Sequence, residues 1–314
     1  MILVCGGLAD GVTELVCSRL AHRGTPYRLL DLGQYPDGFK VHWRWDGENP
    51  SGWLRAAGWW LDLTAVSAVF LRTIGVEAHA PLPWAQAGQE NAILAECQAG
   101  IGTLLEQLPC LVVNRVSSST SNHSKPYQSL LIQKHGLQTP RTLVTSDPAE
   151  ALAFHEECHG EIIYKSISGI RSIVRRMGPK ELQRLPLLRH GPVQFQAYVP
   201  GDDIRVHVVG DELFATRIRS SAIDYRYAKR EGINVEMSAT KIPLAVEMAC
   251  RSLADALHLP LAGIDLREST SGEFVCFEVN PAPGFSFYEQ HTGQPISEAL
   301  ASLLAAEPRK GERT

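Results

Sequence analysis

Phe274-Val-Cys276-Phe-Glu278-Val-Asn280 reads as a β-strand, and an awkward one to bury. Side chains alternate along a strand, so Phe274, Cys276, Glu278 and Asn280 are predicted on one face and Val275, Phe277 and Val279 on the other. Glu278 and Asn280 on an otherwise apolar strand cost stability unless something compensates them. A hard divalent cation with oxygen ligands would do so. Asp265, on the adjoining predicted strand 263–267, completes the sparse carboxylate set that Mg²⁺ prefers, with nucleotide phosphates and water filling the remaining positions. The plainer alternative is a strand end at which Asn280-Pro281 simply starts a loop.

A second set of residues is cationic. Lys125 follows a polar loop, Lys165 ends the predicted strand 161–165, and Arg205 lies on the predicted strand 204–209 with Asp203 and His207 as same-face neighbours. Arg226 follows in Asp224-Tyr-Arg226. Taken singly, each reads as a solvated surface charge. Together, cations from separate segments are suited to converge on a triphosphate, with Ser166-Ile-Ser168-Gly169 supplying backbone N–H groups.

Any such basic site must be local. The 314 residues carry 30 Lys and Arg against 34 Asp and Glu, a net charge of −4, so no global positive field draws in nucleic acid or an anionic membrane. The apolar stretches 67–71 and 111–113 fall far below the roughly 20 residues of a membrane helix, and the N-terminus reads as a strand rather than a signal peptide. A soluble, cytoplasmic protein is expected. Seven scattered cysteines without a C-x-x-C pair argue for reduced thiols over a disulfide framework or zinc ribbon.

The chain is too long for a single core. Residues 1–115 alternate strand signals (1–5, 27–31, 41–45, 66–72, 111–114) with helical spacing (12–23, 86–108), the pattern that builds a parallel sheet. The Ser/Thr-rich loop 117–124 marks a boundary. A second unit, 116–192, holds helical segments at 128–135 and from Asp147-Pro148 to about Cys158, with strands at 140–144, 161–165 and 173–176. A third, 193–307, holds strands 193–199, 204–209 and 213–218, a helix 243–257 and the hairpin of Asp265 and Glu278. Residues 308–314 are expected to be a disordered tail.

Two motifs imitate other chemistries. His155-Glu-Glu-Cys-His159 satisfies the H-E-x-x-H pattern of zinc proteases, but Gly160 ends the helix where a zinc site needs it to continue. A polar face of a surface helix is the better reading. Gly6-Gly7 with Gly11 matches neither the dinucleotide fingerprint nor a phosphate loop, and reads as a tight strand-to-helix turn. Arg171, Arg175 and Arg176 form a basic cluster without interleaved aromatics, read as a docking or phosphate-facing surface.

The order of the pieces carries a resemblance. The segments Asn122-His-Ser-Lys125-Pro-Tyr-Gln128, Tyr164-Lys165-Ser-Ile-Ser-Gly169, Phe195-Gln-Ala-Tyr-Val-Pro200, Ile204-Arg205-Val-His-Val-Val-Gly210, Ala262-Gly-Ile-Asp265-Leu, Phe277-Glu278-Val-Asn280-Pro and Glu289-Gln-His-Thr-Gly-Gln-Pro-Ile296 follow one another as in the ATP-grasp superfamily. From 114 to 304 the chain resembles carboxylate–amine ligases of the RimK-like branch, and is especially similar to the ligases that crosslink microviridin-type peptides, the graspetides. The implied fold is mixed α/β and α+β. Residues 1–115 would be a pre-ATP-grasp α/β domain, its strand marked by Phe70-Leu-Arg72, and 116–192 and 193–307 the two ATP-grasp subdomains.

The resemblance implies that Lys125 and Lys165 hold ATP phosphates, with Ser168 and Gly169 in the covering loop. Adenine would bind at a hinge containing Gln196, Tyr198 and Val199, and Asp265, Glu278 and Asn280 would hold two Mg²⁺ ions. Arg205 and Arg226 match arginines that related enzymes aim at the transferred phosphate or the substrate carboxylate. Ala197 stands where many relatives have Glu, which leaves Asp203 as the candidate ribose ligand, and the phosphate-covering loop 168–172 is short, with one glycine. The implied reaction activates a carboxylate as an acyl phosphate that an amine or hydroxyl then displaces. The substrate would be a peptide, a protein tail or a free amino acid. For a peptide, the cluster of Arg171, Arg175 and Arg176 is the candidate leader-binding surface. A homodimer is the candidate assembly, and a non-catalytic nucleotide-binding scaffold is the competing reading.

Overall fold

The computed structural model describes residues 1–35, 37–45, 50–72, 89–119, 124–167, 174–222, 225, 228 and 232–306. Its first sheet is parallel. The strands Ile2–Gly6 (β1), Tyr27–Asp31 (β2), Ala68–Leu71 (β6) and Leu111–Val113 (β7) are ordered β2-β1-β6-β7. Every residue of β1 is buried because both of its faces are covered. Ile2 and Val4 join the core of helix α1 (Gly11–His22), while Leu3 and Cys5 join that of α2 (Glu90–Glu106). Asp10 caps α1, accepting from the Thr13 N–H at 2.9 Å. A Cβ on Gly6 would lie 2.8 Å from Thr13 Oγ1 and 3.0 Å from the Arg72 carbonyl, so the turn is as tight as expected.

The strand expected at 41–45 departs from the parallel pattern, and two strands that periodicity did not mark follow it. Phe39–Trp45 (β3), Pro50–Ala56 (β4) and Trp59–Asp62 (β5) make a separate antiparallel meander. Its inward residues Phe39, Leu54 and Leu61 cover the α2 side of the first sheet.

Helix α3 (Lys125–Lys134) opens the middle unit, with Ser124 as its N-cap. The strands Thr142–Thr145 (β8), Ile162–Lys165 (β9), Arg175–Arg176 (β10) and Val193–Ala197 (β11) form a sheet ordered β10-β9-β11-β8. Helix α4 (Pro148–Glu157) packs Ala151 and Phe154 beneath it against Ile162 and Phe195, and the short α5 (Pro179–Leu182) follows. α4 ends before His159, which is left-handed at φ 53°, with Gly160 at φ 80° behind it. His155 and His159 therefore share no helical face.

The last unit is a five-stranded antiparallel sheet of Gly201–Val209 (β12), Glu212–Ser220 (β13), Val235–Thr240 (β14), Leu261–Ser269 (β15) and Phe274–Asn280 (β16), ordered β14-β13-β12-β15-β16. One face, with Val206, Val208, Ile264 and Val279, packs on helix α6 (Leu244–Ala256) and on Ile132 of α3. Two C-terminal helices that periodicity did not mark follow, α7 (Ser286–Thr292) and α8 (Ile296–Ala305). α8 returns to α1, and Leu300 and Leu304 share a core with Val16 and Leu20. Among the described residues no helix is long and apolar enough to cross a membrane.

Candidate active site

Apolar side chains take one face of β12, β15 and β16, so strand alternation sends the polar ones to the other. Register aligns them in rows. Arg205 pairs with Asp265 and Asp265 with Glu278, while His207 pairs with Gly263 and Gly263 with Asn280. The sequence placed Phe274 and Cys276 with Glu278, and Phe277 opposite; a β-bulge corrects this. Register passes from Asp265–Glu278 to Leu266–Cys276, leaving Phe277 as the extra residue. Cys276 consequently joins Val279 in the apolar core, and Phe277 turns to line the cleft beside Glu278 and Asn280.

This cleft, about 310 Å³, is also lined by Ala197, Tyr198, Val199, Asp203, Arg205 and Tyr288. Arg205 is its electrostatic centre, only 5% exposed. Its Nη1 donates to Asp265 Oδ1 at 2.6 Å, and its guanidinium lies 5.7 Å from the Tyr288 ring centre. Burial alone would lower the guanidinium's pKa, but the Asp265 carboxylate and the tyrosines Tyr288 and Tyr225 hold it above the ordinary arginine value. Beside it, burial and then the Arg205 charge push His207 well below the ordinary imidazole pKa, so it stays neutral and accepts from Arg205 Nε at 3.4 Å. Tyr225 and Tyr288 join their hydroxyls at 2.7 Å, and burial, with Tyr288 and Asp265 adding to it, raises the Tyr225 phenol well above its usual pKa.

Lys125 on α3 and Lys165 at the end of β9 are both buried, and Lys125 Nζ donates to the Ser166 carbonyl at 3.0 Å. Asp203 Oδ1 accepts from Arg267 Nε and Nη2 at 2.8 and 2.7 Å, and Arg267 also holds the Val199 carbonyl at 2.9 Å. Tyr198 lies between Arg176, 4.0 Å from its ring centre, and Arg267 at 5.8 Å. The side chain of Gln196 is not at the cleft surface: it is buried, with Nε2 donating to Thr142 Oγ1 at 2.9 Å. Ser168, Gly169 and Arg226 lie outside the described residues, as does Arg171. Of the expected arginine cluster, Arg175 and Arg176 are both exposed on β10, and Arg176 pairs with Glu161 and lies over the Tyr198 ring. Sequence reading also missed Arg267, although it stands two residues from Asp265 on the same strand face. Tyr288 gave no such signal.

The donor set suits a hard cation. Asp265 and Glu278 are directly paired across two strands, a like-charge juxtaposition that costs stability unless a cation offsets it. Arg205 does so for one Asp265 oxygen. Asn280 Oδ1 accepts from the Ala282 N–H at 2.9 Å, which fixes the amide at the strand end. Among the described residues no cluster of three or more His, Cys, Asp or Glu side chains could hold a metal, so zinc chemistry at the H-E-x-x-H motif has no support there. A metal at the hairpin would draw on two carboxylates, an amide oxygen and oxygens of its ligand, the sparse set characteristic of magnesium–nucleotide sites.

A cleft between two antiparallel sheets, with Ile163 and Ala197 to Val199 on one side and the carboxylate row on the other, is the arrangement of a nucleotide-dependent ligase of the grasp type. Residues 120–304 match the RimK-like ATP-grasp domain, and the chain belongs to that family. It is accordingly an ADP-forming ligase that uses ATP with magnesium. The alpha-aminoadipate–LysW ligase LysX of Sulfurisphaera tokodaii is 25% identical over 213 residues, covering 63% of this chain and 73% of the relative. Among solved structures, the ATP-grasp ligase PsnB complexed with a phosphomimetic variant of its minimal precursor, Mg and ADP superposes with a TM-score of 0.81 at 26% identity, covering 96% of this chain and 97% of PsnB. The macrocyclase MdnC bound with precursor peptide MdnA, from Microcystis aeruginosa MRC, gives 0.83 at 22% identity over 98% of this chain and 100% of MdnC. The mixed α/β and α+β ATP-grasp architecture expected from the sequence thus extends over nearly the whole chain, the leading α/β unit included.

Proposed function

We propose that the cleft activates a peptide carboxylate with ATP and joins it to an amine or hydroxyl of a peptide. The aligned row Arg205–Asp265–Glu278 carries this reading, since it sets a buried cation beside two carboxylates at the floor of one cleft. Asp265, Glu278 and Asn280 would hold two Mg²⁺ ions, which when bound draw charge off the phosphates. Lys125 and Lys165 would neutralise the triphosphate, with Ser168 and Gly169 covering it, and Ala197 to Val199 would present backbone groups to adenine. Gln196 supports that hinge from beneath. With Asp203 held by Arg267, a ribose hydroxyl would meet an oriented carboxylate. Arg205 and Arg226 would stabilise charge on the transferred phosphoryl group as the carboxylate oxygen attacks and ADP leaves. The amine or hydroxyl then attacks the acyl carbon of the acyl phosphate, and inorganic phosphate leaves. Residues 1–115, 116–192, 193–307 and 308–314 would be the leading α/β domain, the two grasp subdomains and a tail.

The likeness to PsnB and MdnC, whose structures contain precursor peptides, supports a peptide substrate. The likeness to LysX supports the second reading, in which a free amino acid is joined to a protein or small molecule. Mass spectrometry separates them. Incubation with Mg-ATP and acidic peptides bearing Ser, Thr or Lys is expected to yield ADP together with peptide lighter by one water per bond formed. ADP formation stimulated only by free amino acids would favour the second reading, and no ADP with any acceptor would contradict both.

A further inference from the structure

The strand that carries Glu278 and Asn280 is the outer edge of its sheet, and an edge strand presents backbone groups that its own sheet cannot satisfy. Two elements cover them. The Cys276 N–H donates to the Gln138 carbonyl at 2.7 Å. At Val279, between the two side chains at issue, no neighbouring strand supplies the partner. The carboxamide of Gln128 does: its Nε2 donates to the Val279 carbonyl at 2.8 Å, and its Oε1 accepts from the Val279 N–H at 3.0 Å. Gln128 is 2% exposed, so both bonds are buried. It sits three residues after Lys125 on α3, and i, i+3 residues share a helical face. One rigid element therefore carries both the lysine that reaches Ser166 and the amide that holds Val279.

We propose that Gln128 is a positioning residue for the metal site. Its two bonds fix the peptide planes on either side of Val279, and those planes set where Glu278 and Asn280 point. The role rests on the reading of Glu278 and Asn280 as magnesium ligands. Without the carboxamide, the edge would have to satisfy Val279 with water or by twisting, just past a bulge that already breaks the ladder. Beyond Asn280 the same backbone is held by Asn114, whose Nδ2 donates to the Pro281 carbonyl, and by Arg72, whose Nη1 donates to the Ala282 and Pro283 carbonyls at 3.2 and 3.3 Å. These leave residues 279–283 little freedom, and Gln128 is the member that acts between the ligands.

Calorimetric titration with ADP, with and without Mg²⁺, tests this on the whole chain. Gln128→Met keeps the side-chain length and removes both bonds. It is expected to raise the Mg²⁺ concentration needed to tighten ADP binding by about tenfold, the usual effect of losing a partner behind a metal ligand, with metal-free ADP affinity unchanged. An unchanged magnesium dependence, or an equal loss with and without metal, overturns the role. Should Gln128→Met fail to fold, the isosteric Gln128→Glu keeps the acceptor for the Val279 N–H while setting a carboxylate oxygen against its carbonyl, and the same shift is expected. Glu278→Gln is titrated alongside. A loss there with none at Gln128 overturns only the positioning role, whereas no loss in either variant overturns the metal site and the positioning role with it.

Discussion

The space that Arg205 occupies comes from Gly263. A Cβ at that position would stand 2.1 Å from Arg205 Nη2 and 2.6 Å from Pro283 Cβ, so the buried guanidinium would have to shift. Gly263→Ala is expected to cost about 1–3 kcal/mol in a urea titration through overpacking, and to suppress ADP formation because the guanidinium must leave Asp265. His207 gives a pH signature. Its folded pKa lies well below the ordinary imidazole value, through burial and the Arg205 charge, so only the unfolded chain takes up its proton as pH falls past about 6.5. The contribution to stability is complete above that pH and is lost below it, by up to about 1.4 kcal/mol per pH unit. His207→Gln should flatten the acid limb of the stability profile; an unaltered limb would show that the imidazole is not held neutral. Arg205, Asp265, Glu278 and Asn280 were legible because strand alternation is local. Arg267 obeys the same rule and went unread because its partner Asp203 lies on another strand, and Tyr288 could not be placed before α7 was.

Among the elements, β16 shows the limit of alternation. Nothing in Phe-Val-Cys-Phe-Glu-Val-Asn marks Phe277 as the bulged residue, since the bulge belongs to the pairing with β15 rather than to either strand. Glu278 and Asn280 share a face all the same, because both lie beyond it. Of the meander, β3 was read as a strand at 41–45 but grouped with the parallel pattern, while β4 went unread because it opens on Pro50-Ser-Gly52, which reads as a turn. Helix α8 was missed although its buried Ile296, Ala299, Leu300 and Leu304 recur at helical spacing and pack on α1, a stripe that was there to be read. The cap of α4 was legible, unlike those of α1 and α3, and it can be tested. Asp147 accepts from the Ala149 N–H at 2.8 Å, so Asp147→Ala should cost about 1 kcal/mol by chemical denaturation and leave ADP formation intact. A large loss of activity, or activity restored by zinc, would return chemistry to the histidines of that helix.

For the molecule as a whole, the polar loop after β7 separates units that the fold then joins again. Residues of β1, α1 and β7 share one core with residues of β12, β13, α7 and α8, including Val4, Leu20, Val113, Phe214, Phe285 and Leu300. Arg72 spans the same junction, its Nε donating to Asp10 at 2.6 Å and its Nη1 to the carbonyls that follow Asn280. The leading α/β unit is therefore part of what holds the cleft floor. No composition or periodicity reveals such a shared core, because its two halves lie far apart in the chain. The central claim is that this floor binds ATP through magnesium held by Asp265 and Glu278, and calorimetry with a non-hydrolysable ATP analogue tests it most directly. Wild type should bind one nucleotide only tightly with Mg²⁺, and Asp265→Ala and Glu278→Ala should each weaken that magnesium-dependent binding by about a hundredfold or more, a few kcal/mol of lost charge stabilisation. Wild-type binding indifferent to magnesium, or variants that bind as wild type does, would contradict the account.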